Sequence, residues 1–159
     1  MALCLLVKQL NRPDIFGVGI SHVVQIDDPN ELSAVKAEEI VKAEVPSIDF
    51  MKYRMGIDID GNTCSWQGLF CKLVMGITTL KVNSEHGWRQ WYYDKLLPWK
   101  NFVPIAASLE NLAETVCYLA NHPGEAERIA QQGRQVANSL TMASVLESSA
   151  ATIFDFVNR

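Results

Sequence analysis

The stretch from Lys52 to Val74 does most to limit what this chain can fold into. Lys52 to Ile59 reads as a buried strand, and Asp60 to Ser65 is a short polar turn. Beyond it, Trp66, Leu69, Phe70, Leu73 and Val74 recur at spacings that make one apolar helical stripe. A strand that turns straight into a helix leaves unpaired backbone N–H groups at the helix start, facing the carboxyl edge of a sheet. Those donors and the positive end of the helix dipole suit a phosphate or another anion. Gly61 would permit a tight turn and close approach by a ligand, since it carries no side chain. Asn62, Thr63, Ser65 and Gln67 offer more hydroxyl and amide groups than one helix cap needs, which favours a binding loop. A plain structural turn remains the alternative at this point.

The rest of the chain alternates strands with helices. Residues 1–10 suit a short helix or strand, stopped at Asn11-Arg12-Pro13-Asp14, and Val18, Ile20, Val23 and Val24 mark a strand over Gly17 to Gln25. Asn30 is placed to cap a helix from Glu31 to about Ala43 whose charged side faces solvent. Gly76 closes the central helix, and Ile77 to Val82 is a second buried strand. Trp88 to Leu97 reads as an aromatic helix with Trp88, Trp91 and Tyr92 on one face. Phe102 to Ala106 is a third strand, and Ser108 is placed to cap a helix over Leu109 to Asn121, with Leu112, Val116, Leu119 and Ala120 inward. A helix from about Glu125 to Leu140 turns Ala126, Ile129, Ala130, Gly133 and Ala137 inward. The last, from about Ala143 to Val157, does the same with Leu146, Ala150, Ile153, Phe154 and Val157. This order implies an α/β fold, a Rossmann-like parallel sheet with helices on both faces, in one domain over residues 1–159. Ligands of such sheets sit beyond the carboxyl ends of the strands. The loops Asp60–Ser65, Asn83–Gly87 and Ala106–Ser108 are therefore expected to converge.

Composition excludes several classes. A net charge of −4 argues against a general nucleic-acid binder, and 48% hydrophobic content over 159 residues is enough for a packed core. No apolar run approaches the ~20 residues that cross a bilayer, and the apolar start, Met1 to Val7, has neither a basic leader nor a cleavage site. Cys4, Cys64, Cys71 and Cys117 form no Cys-x-x-Cys pair, and His22, His86 and His122 are scattered. No metal site and no cofactor are expected, and packed, reduced cysteines suit a cytoplasmic setting.

Among chemical motifs, Gly-x-x-x-x-Gly-Lys-Ser/Thr, Gly-x-Gly-x-x-Gly and Gly-x-Ser-x-Gly are all absent. Asp58 and Asp60 lie two residues apart on a strand end and point the same way, as paired carboxylates for acid–base or metal chemistry would. A strand-end aspartate hydrogen-bonding its own turn is the simpler reading. Arg89 or Gln90, at the start of the aromatic segment, could meet a ribose or a phosphate, although aromatic stripes more often pack a core. Glu85-His86 is a weaker acid–base pair.

These residues carry a family resemblance. Lys52-Tyr53-Arg54, followed by Ile57-Asp58-Ile59-Asp60-Gly61-Asn62-Thr63-Cys64-Ser65-Trp66-Gln67-Gly68-Leu69-Phe70, resembles the signature of the CAP10-like glycosyltransferases, glycosyltransferase family 90. That family includes lipopolysaccharide-modifying enzymes and protein O-glucosyltransferases. The likeness continues through Leu80-Lys81-Val82, Trp91 to Trp99, Phe102-Val103-Pro104-Ile105, Leu109-Glu110-Asn111-Leu112 and Ala126 to Arg134, and reaches back to Arg12 to Ile20.

The resemblance implies the donor-binding half of a GT-B fold and inverting transfer of a sugar from a nucleotide sugar, commonly a UDP sugar. The acceptor would be a lipopolysaccharide or another glycan, and the amino-terminal acceptor domain with its general base is expected outside this chain. Without that half, a non-catalytic remnant that binds a nucleotide sugar or a partner is the alternative. The implied donor site comprises Asp60, Gly61, Asn62, Thr63, Cys64, Ser65, Trp66, Gln67, Lys81, Arg89 and Gln90. The loop N–H groups of Thr63, Cys64, Ser65 and Trp66 would hold the diphosphate. Gln67 stands where animal members often have an arginine and Gln90 where many have a glutamate, which is closer to the bacterial branch. Placement in the cytoplasm, peripheral at the inner membrane face, follows from that branch.

Overall fold

The computed structural model describes residues 1–24, 26–61, 63–65 and 67–158, which fall into two compact units, Met1–Asp49 and Phe50–Arg159. The predicted Asn62 and Trp66 therefore lie outside the described residues.

In the first unit, helix α1 (Ala2–Leu10) buries Leu3, Cys4 and Val7 and ends on Asn11 in the left-handed conformation. Helix α2 (Pro29–Ala37) is shorter than expected, and its cap is Asp28 rather than Asn30: the Asp28 carboxylate accepts from the Asn30 N–H at 2.8 Å, and Pro29 opens the helix. Proline suits that first position because its missing N–H has no helical partner there. Among the described residues of 17–25 no strand forms. Only Ile20 bridges to Val41, through Ile20 N–H to the Ile40 carbonyl and Lys42 N–H to the Ile20 carbonyl. With no longer partner to extend the ladder, the alternating valines stay in an irregular segment.

The second unit holds a parallel sheet of three strands in the order β1-β2-β3, flanked by helices, as the strand–helix alternation predicts. Strand β1 (Met55–Asp58) is shorter than the expected Lys52–Ile59 because Ser47–Lys52 coils into a 3-10 turn. Strand β2 (Thr78–Val82) is buried at every position and β3 is Val103–Ile105. Helix α3 (Gly68–Met75) crosses from β1 to β2, burying Leu69 and Leu73, and stops at Gly76 with φ 71°. Helix α4 (Leu112–Asn121) begins late because Leu109 is left-handed (φ 64°). The Asn111 side chain holds the Ala106 N–H at 2.9 Å, so Ser108 caps nothing; Thr115, not Ala120, joins Leu112, Val116 and Leu119 inside.

Helix α5 (Pro123–Ser139) buries the five residues its pattern picks out, Ala126, Ile129, Ala130, Gly133 and Ala137. A β-carbon at Gly133 would stand 2.7 Å from the Asn101 carbonyl oxygen and 2.9 Å from Leu73, so glycine is what lets α5 close on α3. Helix α6 (Met142–Val157) buries none of its predicted inward residues: Leu146, Ile153, Phe154 and Val157 are all more than 60% exposed. Its stripe is amphipathic but has no partner among the described residues.

Candidate functional site

The register of the sheet assembles the site. Asp58 pairs with Lys81 across β1 and β2, so their side chains leave the sheet side by side at its carboxyl edge. Lys81 Nζ lies 3.4 Å from Asp58 Oδ2 and 2.5 Å from Asp60 Oδ1. Asp58 Oδ1 accepts from Ser65 Oγ at 2.8 Å and from Lys72 Nζ at 3.1 Å. Lys72 reaches back one helical turn from α3 and also donates to the Gly68 carbonyl at 3.1 Å. The two carboxylates thus sit with two ammonium groups in a charge-balanced cluster, and Asp58 is only 2% exposed. Burial alone would favour the neutral acid of Asp60. Hydrogen bonds from Lys81 and Ser84, with the charge of Lys81, instead hold it below the usual carboxylate range.

The loop differs from its expected form. Helix α3 starts at Gly68, so Thr63, Cys64 and Ser65 lie in a bend ahead of it rather than in its first turn. The Ser65 N–H points to Asp60 Oδ1 at 3.4 Å, and the Thr63 hydroxyl donates to the Cys64 carbonyl at 3.3 Å. Gly61 is exposed, its φ is not left-handed, and a β-carbon there would meet nothing within 4 Å. The turn does not use its freedom. Gly68 is the tight position: a β-carbon would lie 2.6 Å from Ser65 Oγ and 3.0 Å from Asp58 Oδ1. Gln67 is exposed, while Gln90 reaches the loop by donating to Cys64 Sγ at 3.1 Å.

Beside this cluster a cavity of about 570 Å³ opens at the end of β2. Lys81, Ser84, Trp88, Arg89 and Tyr93 supply its polar and aromatic wall, and Leu69, Leu96 and Phe102 its apolar part. Of the three loops expected to converge, Asn83–Gly87 supplies lining residues and approaches Asp60 through Ser84, whereas no described residue of Asp60–Ser65 or of Ala106–Ser108 lines the cavity. Two cations, a hydroxyl and an indole over an apolar floor suit an anion attached to a ring.

The aromatic segment is not a helix. Only Tyr93–Lys95 makes a 3-10 turn, and Trp91 is 62% exposed while Tyr92 is buried. Tertiary packing overrides the local pattern: Tyr92 and Leu96 join Leu69, Leu73 and Ala137 in one apolar cluster. Asn101 then takes the Leu97 N–H and the Lys95 carbonyl that a helix would need. Burial raises the Tyr92 and Tyr93 phenols well above their ordinary range, and neither hydroxyl has a partner among the described residues. Lys72, Ser84 and Tyr93 were not singled out by sequence reasoning. For Lys72 the signal was its four-residue spacing from Gly68; for Tyr93 there was none beyond membership of the aromatic run.

Comparisons with known proteins place this chain in a family. The family described as "Glycosyl transferase family 90" matches residues 17–153. Protein O-glucosyltransferase 3 of Rattus norvegicus is 32% identical over 106 residues, covering 66% of this chain and 20% of that protein. Protein O-glucosyltransferase 1 of Mus musculus is 29% identical over 104 residues, covering 64% of this chain and 26% of that protein. Uncharacterized protein 035R of Invertebrate iridescent virus 3 is 26% identical over 136 residues, covering 78% of this chain and 12% of that protein. The matched part is thus about a quarter or less of these curated relatives. With a match running from the loop before α2 into α6, across every strand of the sheet, the chain belongs to glycosyl transferase family 90.

Proposed function

We propose that this chain is the donor-binding part of a glycosyltransferase and holds a nucleotide sugar, a UDP sugar in the first instance, at the carboxyl edge of its sheet. The observation that carries this reading is the cavity at the end of β2, where Lys81 and Arg89 share a wall with Trp88 and Tyr93. The cations would neutralise the diphosphate and the aromatic rings would cover a sugar or base. Transfer would go with inversion to a lipopolysaccharide or another glycan, within a GT-B arrangement whose other half supplies the acceptor site. The general base belongs, on this reading, to the acceptor half. The leaving diphosphate would be stabilised by fixed charges and donors rather than by chemistry at a side chain.

Isothermal titration of the chain with UDP tests this. Saturable binding with a Kd of about 1 mM or tighter is expected, and no heat at that concentration would overturn the donor-site reading. Transfer assayed with the acceptor half added separates an enzyme part from a binder without turnover.

A further inference from the structure

Both cations in the cavity wall are already paired with carboxylates of the chain itself. Lys81, with a side chain only 7% exposed, is bound by Asp60 and also faces Asp58. Arg89 is paired to Asp94 at 2.5 Å, with both partners largely exposed. An anion entering the cavity therefore meets cations whose charge is already balanced.

We propose that Asp60 and Asp94 are specificity-determining counter-charges, so that a ligand must replace both and a diphosphate is selected over a monophosphate. The inference rests on the donor-site reading above and adds what the site rejects. A single phosphoryl group can displace one carboxylate and gains one cation; two linked phosphoryl groups carry charge for both Lys81 and Arg89, which line the same cavity. The exchange takes the Lys81 charge away from buried Asp58 Oδ2, which lies 3.4 Å from it and has no hydrogen bond among the described residues, and this adds to the cost. Asp60 keeps the Ser65 N–H and the Ser84 hydroxyl when Lys81 turns away, and Asp58 keeps Ser65 and Lys72. Asp94, 86% exposed, is solvated on release. Selection against the smaller anion thus comes from an introduced cost as much as from an attraction.

The test uses the whole chain, with inorganic pyrophosphate and inorganic phosphate titrated by calorimetry at low and high salt. The wild type is expected to bind pyrophosphate about tenfold or more tighter than phosphate. Asp94→Asn should tighten pyrophosphate binding about two- to fivefold at low salt, the range for an exposed ion pair. That gain should vanish at high salt. Asp60→Asn should tighten it further, and Glu114→Gln, which removes an equal charge from the exposed side of α4, should leave it unchanged. Equal wild-type affinity for the two anions, or unchanged or weaker pyrophosphate binding by Asp94→Asn, overturns the proposal even if Asp60→Asn does not fold. If wild type binds neither pyrophosphate nor UDP, the donor-site reading itself falls. If it binds both and only the variant effects are missing, this proposal alone falls.

Discussion

The loops that follow β1 and β2 leave the same edge of one sheet, yet they use their polar groups in opposite ways. After β1, the Ser65 hydroxyl and N–H serve Asp58 and Asp60, the Gly61 N–H serves the Thr63 carbonyl, and the Thr63 hydroxyl serves Cys64. After β2, Ser84 organises the turn by accepting from Trp88 N–H, while Trp88, Arg89 and Tyr93 line open space. Polarity of a loop is thus a poor guide to ligand binding by itself; what decides is which groups face open space, as Arg89 does even while paired with Asp94. The first loop is a structural anchor and the second carries the wall of the site.

The sharpest way to break this contrast is Asp58→Ala. It would leave partly buried Lys72 and buried Lys81 without a shared partner and should cost about 3–5 kcal/mol in urea unfolding. A loss below about 1 kcal/mol would mean the first loop is not an anchor. Gly68→Ala should cost about 1–2 kcal/mol in the same measurement, because the new methyl displaces Ser65 Oγ from Asp58. Acid should act through the same cluster. The folded-state pKa of Asp60 lies below its ordinary 3.8, so its contribution is full above that value and is lost as pH falls through the lowered one. The unfolding midpoint should therefore drop on acidification below about pH 4, and Asp60→Asn should flatten that limb. Arg89→Ala, in the second loop, should change stability by no more than about 0.5 kcal/mol while weakening UDP binding about fivefold or more. Equal affinity in that variant would remove the second loop from the site.

Much of this was legible in the residues. The three strands and helix α5 follow from hydrophobic runs and a 3.6-residue period that packing then honours, down to Gly133. The pairing of Asp58 with Asp60 could be read from their spacing, but not the lysines between them, which depend on strand register and on a helix turn. Trp88–Leu97 misled because aromatic spacing fits a helix, whereas Asn101, distant from any local pattern, takes up the backbone groups. Helix α6 misled in the other direction: its period correctly gives a helix, but a period cannot say whether anything covers the stripe.

The strands lie side by side in the order in which the chain is made, each parallel to the last. No pair is a hairpin, so each new strand can dock only after its crossover has been synthesised. The ribosome therefore releases the sheet in a growth sequence: β1 waits for α3 and β2, and that pair then offers its free edge to β3. A nascent chain halted before Phe102 would carry Lys81 and both aspartates but not yet Phe102 and β3 behind them. The charge cluster is thus available for assembly before the pocket it serves.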